Sequence, residues 1–463
     1  MGRISSKWWA LLIVSTAVFL AVIDIFIVNV ALPSIQTGLH STEADIQLVI
    51  AAYLLGYAAF LITAGRMGDY FGKKRVFITG ILAFTLTSCL CGMAQTATQL
   101  NIARFLQGIS AALMIPQSIA YIHVLFPVHE ERIKALGIYG SIAGTASVIG
   151  QFLGGIIPEV HWLMDGWRWI FLINLPIGIL AAILATRRLT DTNRQQESHF
   201  DTSGVLLLTA TLSCLVYPLI HGRELGWPLW AIAMLLTAFL LLGVFIRHQY
   251  KKGKNAQQPL INLQLFRFRD FNIALGAVLF YFMVQDSYFL INTVMLQNGL
   301  GYSSGLTGLL FVYQGVGYVL ASLLAIKLMK RFGKKVLQVG VLIMTAALIG
   351  HTWLFNADLQ PGISLYLLLF VYGMGCGSVL PGLLTLSLKS IPASYAGAAS
   401  GTYTTFQQTA VALGIGITGG IFFWALHDQH TTIAYLSAYH TATWLNVAFL
   451  LIVSVLLYCL PED

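Results

Sequence analysis

Gly65-Arg66-Met67-Gly68-Asp69-Tyr70-Phe71-Gly72-Lys73-Lys74-Arg75 is a short, charged, glycine-punctuated turn between two long apolar stretches, residues 48–63 and 76–93. So much charge between two runs of that length belongs in water at a bilayer surface. A related sequence, Lys330-Arg331-Phe332-Gly333-Lys334-Lys335, follows later, and Phe71 to Phe332 is 261 positions. A duplicated basic turn in so apolar a chain points to a membrane transporter built from two similar halves.

The composition excludes an ordinary soluble protein. The chain is 57% apolar and 10% charged, whereas soluble domains carry about 25% charged residues. Some fourteen apolar runs are visible, near 9–31, 46–65, 76–95, 100–124, 134–157, 168–186, 203–221, 228–246, 272–296, 305–328, 335–355, 363–387, 398–425 and 440–460. Each approaches the roughly 20 residues that span a bilayer core. Backbone polar groups in lipid must be satisfied internally, so the runs are expected to be helices. The expected class is therefore an all-α integral membrane protein.

Basic residues gather in alternate loops: Arg3 and Lys7; Lys73 to Arg75; Arg132 and Lys134; Arg187, Arg188 and Arg194; Lys251, Lys252, Lys254, Arg267 and Arg269; Lys327 to Lys335; Lys389. Arg168 and Arg223 are the exceptions in the opposite loops. The positive-inside rule then puts both termini in the cytoplasm, in agreement with an even number of spans. The net charge of +8 reflects this topology and calls for no nucleic-acid partner; patches such as Arg247 to Lys254 are expected against anionic lipid headgroups. Trp8, Trp9, Trp162, Trp167, Trp227, Trp230 and Trp424 sit near run ends, as an aromatic belt requires. The five cysteines fall inside apolar runs and show neither a disulfide framework nor metal-ligand spacing. The first run is too long for a signal-peptide core and is read as an uncleaved span.

The repeat offset places six runs before residue 187 and six after residue 270. Two extra runs lie between them. The expected division is a six-helix bundle over 1–186, a two-helix insert with cytoplasmic linkers over 187–271, and a second six-helix bundle over 272–463. Some amphipathic helix is expected around Leu263 to Phe271.

These residues resemble the fourteen-span branch of the drug:proton antiporters in the major facilitator superfamily. Gly65, Asp69, Gly72, Lys74 and Arg75 match that superfamily's cytoplasmic loop motif. The stretch Asp24 to Pro33, which includes Asn29, is similar to the branch's first-helix signature. Arg104-Phe105-Leu106-Gln107-Gly108 resembles its fourth-helix motif, residues 167–178 the start of its sixth helix, and residues 396–401 with Gln407 and Gln408 its eleventh-helix start. The chain departs from the pattern at Tyr70, where arginine is usual, at Lys330, where the second copy would have aspartate, and at Leu48, where tryptophan is common. The fifth-helix motif, Gly150, Gln151, Gly154 and Gly155, lacks its usual proline, which Gln151 replaces. The resemblance implies two six-helix bundles with two additional helices, alternating access, proton coupling with a role in proton transfer for Arg104, and a conformational latch at Gly65, Asp69, Gly72, Lys74 and Arg75.

Asp24, Asp286 and Arg104 lie deep in apolar runs. A charge at that depth costs about 2.5–3.5 kcal/mol on insertion scales, which makes each a functional candidate. Asp24 and Asp286 are 262 positions apart, so each is expected at the same depth in the first helix of its half. Both carboxylates are expected to face a central cavity between the halves. A proton held there would be displaced when a cationic substrate or Arg104 approaches. Gln107 shares a helix face with Arg104; Arg104 itself has the plainer alternative of anchoring an aspartate or a carbonyl. Asn29, Tyr53, Tyr57, Tyr288, Gln314 and Gln407 are candidates for lining a cavity that accepts amphiphilic molecules, with interhelical hydrogen bonding as the alternative for each. His123 and His351 carry no assigned role.

No enzyme signature stands in a suitable setting. Gly301-Tyr302-Ser303-Ser304-Gly305 fits G-x-S-x-G but joins two apolar runs rather than a strand and a helix. The glycine–lysine pairs lack the serine or threonine of a phosphate-binding loop. Nothing resembles a channel filter. The expected protein is a secondary transporter without cofactor or metal, exporting amphiphilic or cationic drugs against protons. It would work as a monomer in a bacterial cytoplasmic membrane, its partners being small molecules, protons and lipid. An importer, or an exporter of one metabolite, remains open.

Overall fold

The computed structural model describes residues 6–160, 163–190, 201–255, 257–392, 395–427 and 429–461. Arg3, Trp162 and Arg194 lie outside them. Among the described residues, fourteen helices are long and apolar enough to cross a membrane: α1 Lys7–Leu39, α2 Glu43–Phe71, α3 Lys73–Met93, α4 Ala97–Leu125, α5 Glu130–Glu159, α6 Gly166–Arg188, α7 Thr202–Glu224, α8 Leu229–Lys254, α9 Arg269–Gly299, α10 Ser304–Phe332, α11 Lys335–Leu354, α12 Ile363–Leu388, α13 Ala396–Leu426 and α14 Thr432–Cys459. Among the described residues there is no strand. Leu263–Arg267 winds as a short 3₁₀ turn, so the amphipathic helix expected there is only one turn long.

Polar caps set the starts. Thr42 and Asp45 form a reciprocal capping box at α2, Thr96 caps α4 and Ser303 caps α10; each supplies an oxygen to an amide that the first turn leaves unpaired. The duplicated turn makes the sharpest reversals. Gly72 alone separates α2 from α3 with φ of 96°, and Gly333 leaves α10 with φ of 52°. Only glycine takes such angles without steric cost. α2 and α10 begin and end 261 residues apart, Glu43 against Ser304 and Phe71 against Phe332. The repeat read in two turns thus extends along whole helices.

The two copies are tied down differently. Lys73 holds Asp69 at 2.8 Å. The position of Asp69 is taken by Lys330 in the second copy, so Lys334 turns instead to the carbonyls of Tyr458, at 3.2 Å, and of Leu460 at the end of α14. A lysine near a helix C-terminus satisfies carbonyls the helix cannot.

Within each six-helix bundle the same pairs pack tightly. A Cβ at Gly56 or Gly108 would strike the backbone between α2 and α4, and one at Gly373, Gly377 or Gly317 would do so between α10 and α12. Small residues let helix backbones approach where the surrounding lipid gives no hydrophobic drive. The bundles meet along α5 with α10, α2 with α13, and α1 with α9. The inserted pair α7–α8 packs on itself, and α7 rests against α2. The face that carries Lys7, Phe71 and Cys459 is called the terminal face below, the opposite one the far face.

Candidate functional site

A cavity of about 250 Å³ lies between the bundles. α1 contributes Val22, Ile25 and Phe26, and α5 Ser147 and Gln151. The second bundle contributes Gln285, Asp286 and Phe289 from α9, Gln314 and Tyr318 from α10, and Gln407 and Gln408 from α13. Asp286 is the only charged side chain in this lining. Asn29 of α1 stands next to its carboxylate from across the seam. Gln151, Gln285 and Gln314 each present an oxygen with no hydrogen-bond partner. Phe26 and Phe289 meet edge to face at 5.3 Å. One acid, several amides and aromatic faces make a chamber suited to an amphiphilic cation.

Asp24 does not face this cavity, contrary to expectation. It is fully buried inside the first bundle, where it forms an ion pair with Arg104. Gln107 donates to its other oxygen at 2.8 Å, and Asn174 of α6 reaches the same oxygen at 3.2 Å. Arg104 also donates to the Val49 carbonyl at 2.9 Å and to Gln107 at 2.8 Å, and it stacks on the Tyr53 ring at 4.5 Å. The reason is register. Asp24 and Asp286 each stand seventeen residues into their helices, but the offset set by α2 and α10 pairs Asp286 with Ile25. Ile25 does line the cavity. One residue turns a helix face by about 100°, which carries Asp24 into the bundle.

Other expected residues divide in the same way. Gln314 and Gln407 line the cavity. Tyr53 and Gln107 belong to the Asp24 cluster. Tyr288 is buried in the second bundle, stacked on Tyr372 at 3.9 Å with its hydroxyl 3.2 Å from His351; His351, given no role above, is its partner. Tyr57 borders a second depression of about 480 Å³ near the terminal face, with Gly65, Arg66 and Asp69. Asp69 meets Lys73 of its own loop there. Lys74 is half-buried and Arg75 exposed. Arg66 donates to the carbonyls of Gln258 and Pro259 at 3.3 and 2.7 Å, joining this loop region to the linker ahead of α9.

The fifth-helix residues share one structural task. A Cβ at Gly150 or Gly154 would meet the α1 backbone at Ile23 or Ile27, and one at Gly155 would meet the α10 backbone at Ser304. α5 is thereby wedged between both bundles, and Gln151, where the resemblance has proline, points its amide into the cavity. Asn174 and Ser88, which bond each other at 3.0 Å beside Asp24, carry no sequence signal beyond being polar in apolar runs. The insert supplies another cluster. Asp201, ahead of α7, is buried and accepts from Lys252 at 2.7 Å, Gln249 at 2.9 Å and the Gly204 and Leu260 amides, with His248 at 3.1 Å. Burial pushes its carboxyl up; the bonds from Lys252, Gln249, His248 and Gly204 outweigh that and hold it below the ordinary carboxylate range.

The family profile described as Major Facilitator Superfamily matches residues 14–415 and 273–463. The "Probable actinorhodin transporter" of Streptomyces coelicolor is 33% identical over 92% of this chain and 74% of its own length. The "Tetracenomycin C resistance and export protein" of Streptomyces glaucescens is 33% identical over 90% of this chain and 76% of its own. The "Multidrug resistance protein Stp" of Mycobacterium tuberculosis is 31% identical over 87% and 73%. Among solved structures, a D-xylose-proton symporter superposes with a TM-score of 0.71 at 14% identity, covering 99% of both chains. A bacterial homologue of the human lysosomal transporter Spinster gives 0.69 at 16%, covering 99% of this chain and 97% of that one; both likenesses speak to the fold.

Proposed function

The chain belongs to the Major Facilitator Superfamily, and from that membership we propose that this transporter exports amphiphilic or cationic small molecules in exchange for protons. The observation that carries the reading is Asp286, the single charged group in an otherwise uncharged chamber between the two bundles. Relatives named for antibiotic and multidrug resistance support the direction and the class of cargo. The division into 1–186, 187–271 and 272–463, with the termini and the basic loops in the cytoplasm of a bacterium, belongs to the same proposal, as does a monomeric working unit.

The coupling follows from electrostatics. A bare carboxylate enclosed between the bundles is costly because it has lost water. A proton on Asp286, or a cation beside it, removes that cost. Reorientation is then favourable with either passenger and unfavourable with neither, which makes exchange obligatory. One proton in for one monovalent cation out moves no net charge, so the pH difference drives the exchange and the membrane potential contributes little. Phe26 and Phe289 hold the apolar part of the cargo, and the amides of Gln314 and Gln407 fix its orientation. Asp24 and Arg104 keep α1, α4 and α6 in register around this chamber, and the loop of Gly65, Asp69, Gly72, Lys74 and Arg75 steadies the cytoplasmic ends.

Everted membrane vesicles test the reading. Respiring vesicles that contain the protein should lose part of their acid interior when ethidium is added, and vesicles without it should not. No response to ethidium or any other lipophilic cation would overturn broad cation export. It would favour a second reading, export of one metabolite. The unpartnered oxygens of Gln151, Gln285 and Gln314 favour that alternative, because three fixed acceptors suit one donor pattern better than many.

A further inference from the structure

Buried polar groups nearly always find partners, so those that do not ask for a reason. Among the described residues, Asn29 and Gln47 are the two whose amide oxygen and nitrogen are both shut off from solvent without an aligned hydrogen bond, Asn29 having only the Asp286 carboxylate beside it. Each is fully buried. Both lie on the far side of the first bundle's interface helices, and both face the second bundle. Asn29 of α1 stands next to Asp286. Gln47 of α2 comes to 3.5 Å from the point where a Cβ would stand at Gly419 of α13.

The backbone opposite them is irregular in both places. Met295–Gly299 of α9 winds as a π-turn, and from within it Gln297 donates to the Val30 carbonyl of α1 at 2.8 Å. Ile415–Gly419 of α13 is a π-turn as well, opposite Gln47. π-turns are rare and gather at functional sites. Beyond them the seam is shut, since Glu159 of α5 accepts from the Gly305 amide at the start of α10 at 2.7 Å and Ser304 donates to the Gly155 carbonyl at 2.8 Å.

A dry amide with nothing to bond at Gln47, and one with only a carboxylate beside it at Asn29, make a closed seam costly. The cost is intelligible when the same groups are wet, or hold cargo, in the conformation open at the far face. Resting on the transport reading above, we infer that Gln47 and Asn29 form a second, uncharged cargo station between Asp286 and the far face. It takes the hydrogen-bonding part of an amphiphile after the proton has displaced the charged part from Asp286. Lacking charge, the station lets a cation pass on, where a second carboxylate would hold it.

The test uses the purified full chain in liposomes, with ethidium as cargo and an imposed pH difference. Gln47→Leu and Gln47→Met keep the shape and remove the amide. With the station, ethidium affinity in detergent stays within about twofold of wild type, the melting midpoint rises, and turnover falls at least about fivefold, because the closed state gains and the path loses its amide. Turnover within twofold of wild type for both variants would overturn the station. Should both replacements misfold, Gln47→Cys in a background without the five native cysteines gives the answer. A membrane-impermeant maleimide applied from the far side should label it faster during ethidium transport than at rest, and equal rates would overturn the inference. Absence of wild-type ethidium transport would instead overturn the transport reading, so the two failures are distinct.

Discussion

Asp24 and Asp286 stand at the same depth in corresponding helices, one residue apart in the repeat register, and live in opposite surroundings. Asp24 is saturated: Arg104, Gln107 and Asn174 surround it, and no solvent reaches it. Asp286 is half-buried, with Asn29 on one side and the cavity on the other. A carboxylate whose bonds are all made has little to offer a passenger, and one that faces a chamber is available for exchange. Equal depth in the membrane therefore says less about function than the company a charge keeps.

The comparison breaks most visibly at Asp24. Asp24→Asn leaves Arg104 charged and buried without its partner, a change that costs about 3–5 kcal/mol in other buried pairs. The melting midpoint in detergent should fall sharply. Asp24→Asn with Arg104→Gln should recover most of the loss, because the pair leaves together. Asp286→Asn should do the reverse. Its melting midpoint should stay near that of wild type, while transport driven by a pH difference falls to the level of empty liposomes. An Asp286→Asn protein with normal proton-driven transport, or an Asp24→Asn protein with normal stability, would erase the distinction drawn here.

The sequence made the outer frame legible and the inner faces not. Gly72 and Gly333 announced their turns because positive φ leaves few other residues, and the 261-residue offset between their copies runs through α2 and α10. Asp286 was visible as a charge in an apolar run, and Gln151 as a departure from a motif. What could not be read was rotation. Asp24 and Ile25 differ by one position, and only three-dimensional packing decides which of them meets the cavity. Tyr288 was lost in the same way, since a tyrosine lining a chamber and one bonded to His351 have the same local sequence. Asn174, Ser88 and Gln47 are single polar residues whose meaning comes from helices far away in the chain.

The glycines of α5 sharpen the comparison from the packing side. Gly154 abuts the α1 backbone at Ile27, and a Cβ there would stand 2.5 Å from its carbonyl oxygen; Gly397 has nothing within 4 Å. Gly154→Val should cost about 1–3 kcal/mol, the range for overpacking a tight contact. Gly397→Ala should leave the melting midpoint within a degree or two. Because α5 also touches α10 at Gly155, a shift forced at Gly154 reaches the cavity wall at Gln151, and proton-driven transport should drop along with stability.

Asp201 gives the smallest effect and a third kind of carboxylate, outside the spans. It caps α7, grips Lys252 and holds the Leu260 amide of the linker, while Arg66 holds the neighbouring Pro259 carbonyl from α2. Asp201→Ala should cost about 0.5–2 kcal/mol, the range for a lost N-cap. Its pH signature follows from the lowered carboxyl. A depressed folded value contributes stability that is present above the unfolded value, near 3.9, and is lost as pH falls through the folded one. Between pH 7 and pH 5 the difference in melting midpoint between wild type and Asp201→Ala should therefore stay constant, and it should shrink only in stronger acid. A difference that already fades at pH 6 would mean that Lys252, Gln249 and the two backbone amides do not hold Asp201 in its charged form.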